Sequence, residues 1–224
     1  MGLDLIPEGS AKPGHEAEWR AFLQRTIEGE TVSDAEAERF QEITIPAYER
    51  VGAPRVGRDE AANAWIFDAR GAETPEARAE VLREFDGYHV VPLAMCDGVP
   101  KYTHGDLYDG VDRTSFRGSF LEACGDVMDR ALIGKAWGDV FPEAAIVYGQ
   151  ELLAAASAAA ARGPPPPQPP PPPPKRGLLQ RLGLTGKRTK EEPVPFEDQL
   201  DIVQTAGRWY VFWGERGHFI RAWS

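Results

Sequence analysis

The chain has 224 residues, 42% of them hydrophobic, with six tryptophans and a formal charge of −10. That apolar content is enough for a buried core and excludes a wholly disordered chain. The acidic balance argues against a body that wraps a phosphate backbone, so no nucleic acid is expected there.

The charge is unevenly spread. Residues 175–190 carry Lys175, Arg176, Arg181, Lys187, Arg188 and Lys190 and no acid, a local +6 that leaves −16 on the rest. Just before them, ten prolines fill the eleven positions Pro164–Pro174, interrupted only by Gln168. Two cysteines, Cys96 and Cys124, are too few for a disulfide framework and are expected as free thiols. The opening Met1–Ile6 lacks the basic start and long apolar run of a signal peptide, and Ile6 breaks the myristoylation pattern. The most apolar run, Leu152–Ala161, is about half the length that spans a bilayer. A cytoplasmic protein without a transmembrane segment is therefore expected.

In chain order, Leu3, Leu5 and Ile6 predict a short strand stopped by Pro7. Trp19, Phe22, Leu23 and Ile27 stand at helical spacing and predict an amphipathic helix over His15–Ile27. Ser33-Asp-Ala-Glu36 has capping-box form and opens a second helix that Pro46 should kink or end. Asn63–Asp68 reads as strand or helical turn, since periodicity does not separate them. Thr74 as cap and Pro75 at the first position predict a helix with Ala77, Val81, Leu82 and Phe85 on one face. Tyr88–Met95, nearly all apolar, predicts a buried or edge strand.

Helix is expected to resume between Ser115 and Ser119. Phe141–Arg162 is the strongest helical stretch, and its alanine-rich end is expected to be exposed and frayed. Phe196, Leu200 and Val203 favour a short helix stopped by Gly207. Arg208–Trp213 and His218–Trp223 then read as a hairpin turning through Gly214–Gly217.

In such a strand Trp209, Val211 and Trp213 would point one way and Tyr210 and Phe212 the other. Neither face suits water, and about thirty residues cannot bury these rings among themselves. The tail must return to the body. The expected architecture is a single α+β domain formed by residues 1–162 and 196–224 together. Its sheet is small and mainly antiparallel, includes the C-terminal hairpin and has helices packed over it. Residues 163–195 form a disordered proline-rich and basic excursion.

Chemistry concentrates in residues 97–117. Asp97, Tyr102, His104, Asp106, Asp109, Asp112, Arg113 and Arg117 form the candidate binding set there, with Lys101 and Tyr108 beside them. Carboxylates and an imidazole at short spacing suit a divalent cation, although the EF-hand order, HExxH and CxxC patterns are absent. The ordinary alternative is a solvated loop of turn-forming Asp and Gly. His89, His15 and His218 read as structural, and Cys124 as a small buried hydrophobe. No nucleophilic triad or phosphate-binding loop organises these residues, and no cofactor or resident metal is expected.

The proline run should adopt polyproline II and serve as a spacer, a partner's ligand or neutral low complexity. The low-complexity reading has some support, because nineteen arginines against six lysines suit a GC-rich bacterial genome. The basic segment, with Leu178, Leu179 and Leu182 between its charges, suits a weak anionic surface or the acidic body itself. The sequence thus favours a binding, regulatory or immunity-type accessory module with a protein partner. The alternatives are an enzyme using loop 97–117, with or without a divalent metal, and a peripheral adaptor using the proline and basic arm.

Overall fold

The computed structural model describes residues 2–103, 113–166 and 193–224. Strands β1 (Asp4–Pro7) and β2 (Ser10–Ala11) lead into helix α1 (Glu16–Ile27), which buries Trp19 and Leu23 one turn apart. Helix α2 (Asp34–Ile43) starts at the expected capping box: Ser33 Oγ accepts from Glu36 N, and Glu36 Oε2 accepts from Ser33 N. Strand β3 (Thr44–Ile45) pairs antiparallel with β2. Pro46 then stands immediately before α3 (Ala47–Arg50).

Asn63–Asp68 is helical, inside α4 (Glu60–Arg70). Helix α5 (Pro75–Glu84) starts as expected, with Thr74 Oγ1 accepting from Ala77 N. The strand expected over Tyr88–Met95 is not formed. His89 makes one antiparallel bridge to Arg55, and Val91–Leu93 coil into a 3-10 turn. Backbone bonds Val56 N to Tyr88 O (3.0 Å) and Val90 N to Pro54 O (2.9 Å) begin a ladder. Pro92, which has no N–H and a fixed φ, cannot extend it.

Past the 3-10 turn Gly118–Ala123 come α6 (Arg130–Gly134), another 3-10 turn (Lys135–Trp137) and α7 (Pro142–Arg162). Helix α8 (Phe196–Glu215) and strand β4 (Ile220–Trp223) complete the chain. Arg208–Trp213 is therefore helical and the expected hairpin is absent. Ile202, Val203, Ala206, Trp209, Tyr210 and Trp213 are buried at spacings of three and four, a broad helical stripe. The aromatic rings do need cover on more than one side, as expected, and a central helix supplies it.

Helices α7 and α8 pack antiparallel at unusually close range. A Cβ built on Gly149 would lie 2.7 Å from Gly207 O, and one on Gly214 would lie 2.7 Å from Pro142 O. Gly207 does not stop the helix, because its missing side chain is what lets the two backbones meet. Tyr148 and Tyr210 cross edge to face at 4.7 Å over this seam. Ala156 and Ala159 are fully buried while Ala154, Ala158, Ala160 and Ala161 are exposed, so the alanine-rich end packs one face on the core rather than forming an exposed tip. By length and composition α7 is the one described helix that could cross a bilayer, and a third of that stretch is buried inside the fold.

The fold is α+β with a small antiparallel sheet that includes the C-terminal strand. The partner of β4 is β1, with Leu5 opposite Ala222 and Ile6 opposite Arg221. Phe116 bridges the free side of β1 at Leu5, and Val140 bridges that of β4 at Ile220, so neither edge is bare. Leu3, Leu5, Phe116, Leu152, Trp209 and Ile220 all lie in one buried cluster, so both ends of the chain share a core. Asp126 ties the two limbs that flank residues 163–195. Its carbonyl accepts from Arg162, its N–H donates to Gln199 Oε1, and its Oδ2 accepts from Gln199 Nε2. The expectation of disorder over 163–195 falls largely on residues 167–192, outside the described residues.

Candidate functional site

Helix α8 positions both limbs of the 97–117 loop. On the outgoing limb, Asp97 pairs with Arg208 at 3.3 Å and Lys101 Nζ lies 2.5 Å from Asp201 Oδ2. The Tyr102 hydroxyl donates to the same Asp201 oxygen. Burial raises the Asp201 pKa, but the Lys101 and Tyr102 hydrogen bonds outweigh it, and the carboxyl titrates below its usual range. Burial, then the Asp201 contact, pushes the Tyr102 phenol up to about 12. On the returning limb, Trp209 Nε1 donates to Thr114 O at 2.8 Å. The limbs also meet each other: Arg117 N donates to Tyr102 O at 2.7 Å, and the Thr103 and Ser115 hydroxyls are 3.2 Å apart.

Of the sequence candidates, Asp97, Tyr102, Arg113 and Arg117 lie on these limbs. The structure engages Asp97 and Tyr102 with α8, and Arg117 donates from Nε to Ser119 Oγ at 3.4 Å. His104, Asp106, Asp109 and Asp112 lie outside the described residues. Among the described residues no group of three His, Cys, Asp or Glu side chains could hold a metal ion.

The other candidate groups are held by burial. The Cys124 thiol donates to Phe120 O at 3.3 Å and is pushed up to about 12 by burial. His218 is fully buried, its Nδ1–H donating to Glu8 O at 2.5 Å and its ring edge to face with Trp213 at 4.7 Å. Burial lowers its pKa to about 4; the Glu8 hydrogen bond opposes this, while Arg50 and Arg216 reinforce it. His89 stands beside Tyr48 at 5.3 Å, and burial, then Arg55, lowers its pKa. All three read as neutral structural groups.

Two open grooves, the first mainly apolar and the second about evenly polar and apolar, differ in one decisive respect. Between α1 and α2 lies a slot of about 330 Å³ over the stacked rings of Phe22 and Phe40, 4.2 Å apart. Its rim charges pair with one another: Arg25 with Glu36 at 2.8 Å and Arg39 with Glu18 at 2.8 Å. Between α4 and α5 lies a wider groove of about 830 Å³, lined by Phe67 and Leu82 together with Glu60, Asp68, Glu73 and Arg78. Arg78 is occupied, its guanidinium 5.3 Å above the Phe67 ring and its Nε donating to Ala72 O at 3.0 Å. Glu60, Asp68 and Glu73 make no salt bridge to any described residue.

The helices around this wider groove are under-covered. Helix α5 buries none of its residues. Its Val81 and Leu82, and Phe85 just past its end, are only partly buried, against a satellite cluster of Val56, Ala62, Ile66 and Val90 that is separate from the main core. Sequence reading found α5 and its apolar face but not the groove. The clue was a helix whose apolar face is short and flanked by Glu76, Glu80 and Glu84.

No protein-family model, curated protein or solved structure matches this chain.

Proposed function

We propose that the protein is a binding module that recognises a basic, leucine-bearing peptide segment in the groove between α4 and α5. The observation that carries this reading is a helix with no buried residue beside three carboxylates that make no salt bridge among the described residues. Stable folds cover such a face, and a lining that mixes apolar side chains with carboxylates suits a ligand of apolar anchors and cations. The energetics divide the labour. Exposed ion pairs contribute about 0.2–1 kcal/mol each and set orientation and on-rate. Each buried leucine contributes about 1.5–3 kcal/mol, so the apolar part of the lining supplies most of the affinity.

The pinned limbs of loop 97–117 support binding over catalysis. On the described limbs the Asp97 carboxylate pairs with Arg208, Lys101 and the Tyr102 phenol are both held by Asp201 of α8, and Cys124 is held as a thiol.

Titration with a leucine- and arginine-bearing amphipathic peptide tests the groove. Leu82→Asp should abolish binding, and Glu60→Gln with Asp68→Asn and Glu73→Gln should weaken it most at low salt. Affinity unchanged by both variants would overturn the proposal.

A further inference from the structure

We infer that the occupant of the α4–α5 groove is the chain's own basic segment, residues 175–190. This inference rests on the groove reading above and names its ligand.

Two properties of the chain support it. The first is chemical complementarity. The segment reads Lys-Arg-Gly-Leu-Leu-Gln-Arg-Leu-Gly-Leu from Lys175 to Leu184, so apolar anchors alternate with cations and no acid intervenes. The groove offers the inverse, Phe67 and Leu82 in a lining shared with Glu60, Asp68 and Glu73, which make no salt bridge among the described residues. The α1–α2 slot has no such vacancy, because Arg25 and Arg39 already satisfy Glu36 and Glu18.

The second property is reach. The described chain stops at Pro166 and resumes at Pro193. Leu182 is eleven residues from Pro193, and extended chain covers about 3.3 Å per residue, or about 36 Å. A body of this size has a radius of gyration of about 16 Å, so that tether reaches across much of its surface. Tethering also raises the local concentration to about millimolar. A segment that binds only weakly as a free peptide is then held when it belongs to the same chain.

The test uses the full chain and a synthetic peptide of residues 175–190. A water-soluble carbodiimide joins lysine amines to carboxylates in direct contact. Mapped by mass spectrometry, Lys175 and Lys187 should link to Glu60, Asp68 or Glu73 within monomers, in a yield independent of protein concentration. Links from these lysines only to other carboxylates would overturn the inference. In parallel, the peptide is titrated into wild type and into a full-length variant whose six basic residues at 175–190 are changed to Gln. The variant should bind about tenfold more tightly, because its groove has no internal competitor.

Equal affinity for both chains, lost on Leu82→Asp, would leave the groove reading standing and overturn its occupation by the arm. Peptide binding that ignores Leu82→Asp in both chains would overturn the two together.

Discussion

A methyl group added to Gly207 would stand 2.9 Å from the carbonyl oxygen of Gly149 and 2.7 Å from Leu153 Cγ. The two glycines therefore set the distance between α7 and α8, and through it the depth at which Trp209 and Tyr210 are buried. In an exposed helix Gly→Ala stabilises by about 1 kcal/mol. Here the sign should reverse. Gly207→Ala forces a rigid backbone contact apart, and chemical denaturation should show a loss of about 1–3 kcal/mol. A gain would mean that the helices can separate without penalty.

Removing α8 should be far more damaging. A chain ending before Phe196 loses the buried Trp209, Tyr210 and Trp213 together with the partner strand of β1. It should lack a cooperative thermal transition. A soluble truncation that melts like the full chain would show that the core does not depend on α8.

His218 makes stability depend on pH. Its folded pKa of about 4 lies below the usual 6.5, so as pH falls the unfolded chain takes up the proton first. The stabilisation is complete above pH 6.5 and is lost as pH falls towards 4, an amount of about 3 kcal/mol. Glu36, held near 2 against a usual 4.5, loses its share in a lower window. Unfolding free energies measured from pH 7 to 4 should fall steeply in wild type. His218→Asn should flatten the profile above pH 4.5, and an unchanged slope would assign the effect elsewhere.

Tyr102 and Asp201 join loop and helix across ninety-nine positions of sequence. A double-mutant cycle of Tyr102→Phe and Asp201→Asn should give a coupling of about 0.5–3 kcal/mol, as for residues in direct contact. Amide exchange at residues 98–103 should quicken in either single variant. Strict additivity would show that the pin is not formed in solution.

The α4–α5 pair should tolerate change on its open side only. Ile66 is buried and its truncation to Ala should cost about 2–5 kcal/mol. Leu82, partly buried in the groove lining, should cost about 1 kcal/mol. Similar costs for the two would mean that α5 is covered as fully as α4.

The local signals for α1, α2, α5 and α7 were legible because each rests on residues adjacent in sequence: Trp19 with Leu23, Ser33 with Glu36, Thr74 with Pro75. The α+β class followed from the argument that the aromatic tail must rejoin the body. What misled was chemistry whose meaning lies across space. Gly207 resembles a helix stop until Gly149 stands opposite it, and the dense rings of 208–213 suit a strand as well as a helix. Tyr88–Met95 begins a ladder with residues 54–56 that Pro92 then prevents. For the 97–117 set, Asp97 and Tyr102 acquire partners on α8 that no local spacing announces. The α4–α5 groove is likewise visible only once charges are sorted into paired and unpaired.

Strand β1 lies against β4 with Asp4 opposite Trp223, so the first and last strands of the fold are neighbours. Arg162 and Gln199, on either side of the excursion, are likewise joined at Asp126. The chain is thus nearly a closed ring with two junctions. Sealing the termini with a few glycines and opening the ring within 167–192 would give a circular permutant with every described contact retained. In that permutant α8 is made first and α7 last, so the central helix pair would have to close from opposite ends of the polypeptide.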